Sequence, residues 1–290
     1  MRPVCLLATD GSSHARAAVA TALAFPWPRG TRAHGVVARG RDVPAGIVRH
    51  VVDAIERNAV RIAANTRRRL TGRWPDVEVS IVDKPAAAAI LAEARRLRAR
   101  AIVMGWRGHG AFRRLLGSVS RDVLRQASCP VLIVRRRPRR VRSFVVGIDG
   151  STNARRAVRF LATLPPPRGG RMTVMRSEEP MSMPVTAGRL PAGIRAILRS
   201  EVAKINAERL ARAQRDVDAA AATLARRGWT VRKDVRVGAP LDELLAAVAA
   251  AGADILVVGA RGAGGMKRLL LGSVAEGAVS KSPVPVLVVK

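Results

Sequence analysis

Tyrosine is absent from the 290 residues, and aromatic side chains make up only 3% of the chain. That scarcity argues against the aromatic platforms on which unpaired bases are stacked and read. The two cysteines, Cys5 and Cys129, sit far apart in apolar runs without C-x-x-C spacing. A disulfide-stapled fold and a cysteine metal site are thereby excluded, and both thiols are expected to be buried and free in a reducing compartment. No apolar run reaches the length that spans a bilayer. The short run Val4–Thr9 is interrupted by Asp10 with no cleavage-like site after it, so no membrane insertion and a cytoplasmic location are expected. Acid is scarce as well: 21 Asp+Glu oppose 52 Lys+Arg, leaving a net charge of +31, and only six of the cations are lysine. The nucleophile elbow G-x-S-x-G and the phosphate loop G-x-x-x-x-G-K-[ST] are both missing. His14, His34, His50 and His109 show no metal-ligand spacing and are assigned surface or capping roles.

What is present is a repeat. Asp10–Val19 reads DGSSHARAAV and Asp149–Val158 reads DGSTNARRAV, identical at seven of ten positions. Later, Gly105-Trp-Arg-Gly108 recurs as Gly259-Ala-Arg-Gly262, Gly117-Ser118-Val119 as Gly272-Ser273-Val274, and CPVLIV (129–134) as VPVLVV (284–289). The offset widens from 139 to 154 between the early and late motifs, which puts an insertion of about fifteen residues in the second half, at the Met/Pro-rich stretch Met181–Gly193. The join is the basic run RRRPRRVRS, Arg135–Ser143, broken by Pro138. The domains expected are residues 1–137 and 144–290, with 138–143 as linker.

Each half alternates short β-branched runs with Ala/Leu/Arg-rich helical stretches. In the first half the runs are Val4–Thr9, Ala33–Val37, Val77–Val82, Ile102–Gly105 and Val131–Val134. Near-continuous apolar strands separated by helices predict an α/β class: two tandem Rossmann-like, doubly wound domains. Each would carry a five-stranded parallel sheet in the order 3-2-1-4-5, with ligands beyond the carboxyl ends where the winding reverses. The aspartate closing the first strand and the G-x-x-G after the fourth would then face each other across one crevice. Glycines there let backbone amides approach a phosphate, and Gly272-Ser273 opens a helix whose free amides and dipole attract an anion. Taken singly, Asp-Gly-Ser before a helix is an ordinary N-cap and G-x-x-G an ordinary turn. Their ordered recurrence, twice in one chain, is what points to a nucleotide.

The order strand-Asp, G-x2-G-x9-G-[ST], then a terminal P-V-L-V-V strand resembles the universal stress protein family, in its tandem form, over essentially the whole chain. The resemblance implies a stress-response protein that binds ATP, with Mg2+, as a nucleotide-dependent switch or sensor. It also implies intramolecular pairing of the two halves through their terminal strands, a homodimer as a further option, and an unidentified protein partner. Carried over by position, Gly147, Ile148, Asp149 and Ser177 would line the adenine and ribose end. Val258, Gly259, Gly262, Gly272, Ser273 and Val274 would hold ribose and phosphates. The first-half counterparts are Ala8, Thr9, Asp10, Ala38, Met104, Gly105, Gly108, Gly117, Ser118 and Val119. No catalytic residue and no metal ligand is assigned.

The first half departs from the motif, with eight residues between Gly108 and Gly117 where the second half has nine. A displacement of about 1 Å is costly where several donors must converge, so weaker binding or none is expected there. The alternative is compensation by Arg107, His109 or Arg113. Two other functions stand beside the switch: a slow ATPase, and a basic nucleic-acid-associated protein. The arginine surplus supports only nonspecific attraction to nucleic acid, fading steeply with salt. Faces such as Arg67/Arg68/Arg69 and Arg95/Arg96/Arg98/Arg100 are assigned to solvent.

Overall fold

The computed structural model describes residues 2–40, 49–108, 116–262 and 271–290. In the first half the elements are β1 (Val4–Ala8), α1 (Ser13–Ala24), β2 (Arg32–Ala38), α2 (Arg49–Thr71), β3 (Glu78–Val82), α3 (Ala86–Arg96), β4 (Ala101–Gly105), α4 (Ser118–Gln126) and β5 (Val131–Val134). The second half repeats the order as β6 (Ser143–Gly147), α5 (Thr152–Ala162), β7 (Arg171–Glu178), α6 (Ala192–Ala225), β8 (Thr230–Val237), α7 (Pro240–Ala251), β9 (Ile255–Gly259), α8 (Ser273–Lys281) and β10 (Val286–Val289). A 3-10 turn, Val185–Arg189, precedes α6 inside the stretch assigned to the insertion.

The strands lie in the order β3-β2-β1-β4-β5-β10-β9-β6-β7-β8. Each half is thus the expected 3-2-1-4-5 sheet, parallel throughout. The central strands are apolar along their whole length because helices cover both faces: β1, β4 and β5 are buried at every residue. The two outer strands carry polar residues instead: β3 (EVSIV) has Glu78 and Ser80, and β8 (TVRKDVRV) has four charged residues. Charge on an edge strand discourages pairing with another chain.

The two sheets fuse into one. β5 and β10 pair antiparallel, with Val131 opposite Val288 and Ile133 opposite Val286. The terminal strands therefore use each other's edges, and neither is left to pair with a second molecule. Both cores cross the seam. On one face Cys5, Leu7, Val103, Leu132 and Val134 continue into Phe144, Val146, Val257 and Leu287. On the other, Leu6, Ile102, Met104 and Val131 continue into Val145, Leu256, Val258 and Val286. The alternation follows from the two-residue period of a strand. Phe144 stacks edge-on against Phe25 of the first half at 6.0 Å and against Trp229 of the second at 5.3 Å.

Helix α6 buries Ala213, Val217, Ala220, Ala221 and Leu224, an i, i+4, i+7, i+8, i+11 stripe, against the sheet. Its amino-terminal part stands clear, with Ile194 and Ile197 exposed. Two expectations fail. Cys5 is buried, but Cys129, in the turn before β5, is only partly so. His34 is neither surface nor cap: inside β2 it is 5% exposed, with Nε2 2.8 Å from the Ser80 hydroxyl and 3.6 Å from the Glu93 carboxylate. Among the described residues no helix is long and apolar enough to cross a membrane.

Candidate functional site

The second-half crevice forms where β6 and β9, neighbours in the sheet, send their chains to opposite faces. After β6 the chain turns at Asp149-Gly150, with Gly150 in the left-handed region at φ +77°. The Asp149 carboxylate accepts the Ser151 N–H at 3.0 Å, and the Ser151 hydroxyl accepts the Ala154 N–H at 3.1 Å to cap α5. This is the ordinary capping role expected of Asp-Gly-Ser. It leaves the second carboxylate oxygen aimed at the glycine loop: a β-carbon on Gly262 would lie 2.6 Å from Asp149 Oδ2. Gly259 is glycine for a packing reason, since its β-carbon would meet the Ala154 backbone nitrogen at 3.0 Å.

Opposite the carboxylate, α8 begins. Its N-cap is Gly272, which has no side chain to satisfy the first-turn amides. The Gly272 N–H itself donates to the Ala260 carbonyl at 2.9 Å, tying the start of α8 to the loop after β9. The uncapped amides and the positive end of the helix dipole form an anion-attracting terminus.

Between these parts lies a cavity of about 240 Å³. All ten residues assigned to the second half line it: Gly147, Ile148, Asp149, Ser177, Val258, Gly259, Gly262, Gly272, Ser273 and Val274. Ser177 is near the end of β7, as assigned, and its hydroxyl donates to the Gly238 carbonyl at 2.6 Å. The wall also contains Met175, Pro240, Leu244, Arg261, Leu271 and Ala275, which the sequence reading did not name. Pro240 and Leu244 come from the first turns of α7, a helix visible in the sequence but not traceable to the crevice. Leu244 packs on Gly147, whose β-carbon would lie 2.9 Å from Leu244 Cδ1.

The first half has the same plan on a smaller scale. Its cavity is about 110 Å³ and is lined by Ala8, Thr9, Asp10, Ala38, Met104, Gly105, Gly108 and Val119. Gly117 and Ser118 are not among its lining residues, but Gly117 is held as Gly272 is, opening α4 as its N-cap and donating its N–H to the Trp106 carbonyl at 3.1 Å. Asp10 repeats the Asp149 turn, accepting the Ser12 N–H at 3.0 Å, and a β-carbon on Gly108 would strike its carboxylate. Met104 stands where the second half has the shorter Val258, and Ser120, hydrogen-bonded to the Gly105 carbonyl at 2.9 Å, where it has Ala275. Arg107 lines the cavity with its guanidinium laid over the Trp106 ring at 4.2 Å. His109 and Arg113, the other two offered as compensation, lie outside the described residues. His14 titrates below the ordinary imidazole range because burial and the nearby Arg107 and Arg135 disfavour its cation.

Trp106 is committed elsewhere. Its ring is sandwiched by Arg107 and Arg135, the latter at 4.5 Å, and its indole N–H donates to the Val279 carbonyl of α8 at 3.1 Å. The first-half loop thus touches the helix whose other end opens the second-half crevice. Among the described residues no group of three or more His, Cys, Asp or Glu is placed to hold a metal ion.

Comparison with known proteins agrees with this architecture. A universal stress protein of Mycobacterium tuberculosis is 33% identical over 204 residues, covering 65% of this chain and 58% of that protein, so the chain spans less than two thirds of that relative. The crystal structure of a universal stress protein from Archaeoglobus fulgidus superposes with a TM-score of 0.69 at 19% identity, covering 99% of this chain and 96% of that one, a likeness of fold. A universal stress protein crystallised in complex with cAMP is 26% identical over 51% of this chain and 96% of its own, at a TM-score of 0.32. Residues 1–135 and 140–290 each match the model of the universal stress protein family, and it is to this family that the chain belongs.

Proposed function

We propose that the protein is an ATP-binding switch or sensor whose working site is the second-half crevice. The observation that carries this reading is the placement, around one cavity of about 240 Å³, of an aimed carboxylate at Asp149 and an uncapped helix terminus at Gly272-Ser273. A nucleotide needs both ends. The Asp149 carboxylate accepts from sugar hydroxyls, while the amides at the start of α8, the Ser273 hydroxyl and Arg261 face phosphate oxygens. Apolar Ile148, Met175, Leu244 and Val258 supply a surface for the base. The cradle fits the group: a β-carbon at Gly262 or Gly147 would intrude on its wall. Bound Mg2+ would neutralise phosphate charge, with its coordination completed by the nucleotide and water.

Binding, not turnover, is the proposed activity, because no described side chain is placed as a dedicated base beside the phosphate end. Calorimetric titration with Mg-ATP in ~150 mM salt, which damps diffuse attraction to a basic protein, tests it. One equivalent is expected. Two equivalents would show that the first-half site also works, and no saturable heat would overturn the reading.

A further inference from the structure

The linker between the halves lines a second cleft. Because β5 and β10 are antiparallel, the amino ends of the second-half strands share a sheet edge with the carboxyl end of β5. The linker leaves β5 at Arg135 and runs along that edge to Ser143, past the segments that lead into β10, β9 and β7. Together they enclose a cleft of about 550 Å³, lined by Arg136, Arg137, Arg139, Arg140, Arg142 and Arg171. The nucleotide crevice lies at the opposite end of these second-half strands.

The charge in this cleft is not balanced. Its one carboxylate, Asp254, accepts the backbone N–H groups of Arg142 and Ser143, each at 2.9 Å. None of the six guanidiniums makes a hydrogen bond or ion pair with a described residue. Elsewhere the chain spends its few acids on its arginines: Arg176 pairs with Glu178 and Asp216, Arg236 with Asp234 and Glu243, Arg96 with Glu93. All six arginines are exposed, but the backbone of the linker is held. Val141 is buried at 4% exposure, Pro138 fixes one backbone angle, and Asp254 clamps the end of the run. Holding like charges together costs self-repulsion that a neutral connector would avoid, and a backbone already held loses less entropy when its side chains bind.

We infer that this cleft binds a chain of linked phosphates, of the inorganic polyphosphate type. Guanidinium forks match phosphate oxygens, and six of them spread along one edge exceed what a single phosphate engages. No aromatic side chain lines the cleft, so bases of a nucleic acid find nothing to stack on. The inference does not depend on the nucleotide reading.

Fluorescence anisotropy with labelled short-chain polyphosphate, at ~150 mM salt, tests it on the full chain. Arg136→Gln/Arg137→Gln/Arg140→Gln is expected to weaken binding at least tenfold and to lower the log–log salt slope by ~2, at about 0.7 per phosphate contact as for single strands. The charge-matched control Arg67→Gln/Arg68→Gln/Arg69→Gln, on exposed positions of α2, is expected to change affinity less than threefold. Arg136→Lys/Arg137→Lys/Arg140→Lys should keep most of the slope and lose affinity severalfold, which separates the forks from bare charge and from misfolding. Equal losses in linker and control variants would reduce the site to diffuse attraction. Tighter binding of a mixed single-stranded DNA of equal charge would replace polyphosphate with nucleic acid. Displacement by Mg-ATP or orthophosphate as effective, at equal phosphate concentration, as displacement by unlabelled polyphosphate would also overturn the proposal.

Discussion

The two halves share a fold, a strand order and a turn at Asp10 or Asp149, yet their crevices differ about twofold in volume, 110 against 240 Å³. The difference lies in the side chains that stand at matching positions. In the second half the residue after Gly259 is Ala260, 1% exposed, and the start of α8 stands at the crevice wall. In the first half the equivalent residue is Trp106, whose ring and N–H are engaged on the seam with α8, and the larger Met104 and Ser120 line the crevice where the second half has Val258 and Ala275. A duplicated unit can thus divide its labour: one copy keeps the crevice open, and the other uses the same loop to hold the pair together.

The largest effect should come from breaking that seam. Trp106→Ala removes a 3%-exposed indole, its hydrogen bond to Val279 and the surface on which Arg107 and Arg135 stack. Large-to-small core replacements of this kind cost about 3–5 kcal/mol, to be read from denaturant unfolding. Because Val279 is in α8, the variant should also weaken Mg-ATP binding severalfold; unaltered affinity would show that the seam and the second crevice are energetically separate. Next in size is Gly262→Val. Its β-carbon would sit 2.6 Å from the Asp149 carboxylate, and nucleotide affinity should fall by at least ~100-fold, or about 2.7 kcal/mol, in calorimetry. The matching Gly108→Val should leave stoichiometry and affinity unchanged. An equal loss from both would erase the proposed asymmetry.

Much of the fold could be read before any coordinates. The missing residue between Gly108 and Gly117 marked the first loop, and the continuous runs in β1, β4, β6 and β9 announced parallel strands covered on both faces. Legibility ended where partners come from distant segments. Leu244 and Met175 complete the crevice through packing of α7 and β7, which no local pattern encodes. The linker read as a polar connector, because its convergence with Arg171 and the prior engagement of Asp254 exist only in three dimensions. His34 is different, since the signal was available: a histidine inside the run Ala33–Val37 must point into a helix-covered layer, and its partners Ser80 and Glu93 follow from β3 and α3 packing there.

A smaller effect should sharpen the comparison from the first half's side. Met104→Val gives that crevice the residue found at Val258 and enlarges it. Removing buried methylene volume should cost about 0.5–1.5 kcal/mol, and the enlarged site should still bind no second equivalent of Mg-ATP, because the segment between Gly108 and Gly117 stays one residue short of its second-half counterpart. A second equivalent in this variant would show that side-chain volume, and not loop length, closes the first site.

The smallest effect concerns pH and separates the halves without touching either crevice. Every histidine of the chain lies in the first half, and the position matching His34 in β7 is Thr173, which does not titrate. Burial holds the His34 imidazole below its ordinary value of 6.5, opposed by Glu93 and Glu78 and reinforced by Arg96 and Arg32. In the folded chain the ring resists protonation, whereas the unfolded chain takes up a proton below ~6.5. The stabilisation is therefore fully present above that pH and declines as pH falls from it toward the lower folded value. Hydrogen exchange at pH 7.5 and pH 5.5 should show β2 and β3 losing protection while β7 and β8 keep theirs, and His34→Gln should flatten the difference. Equal loss in both halves would assign the acid sensitivity to carboxylates shared by the two, and the halves would then differ at their glycine loops alone.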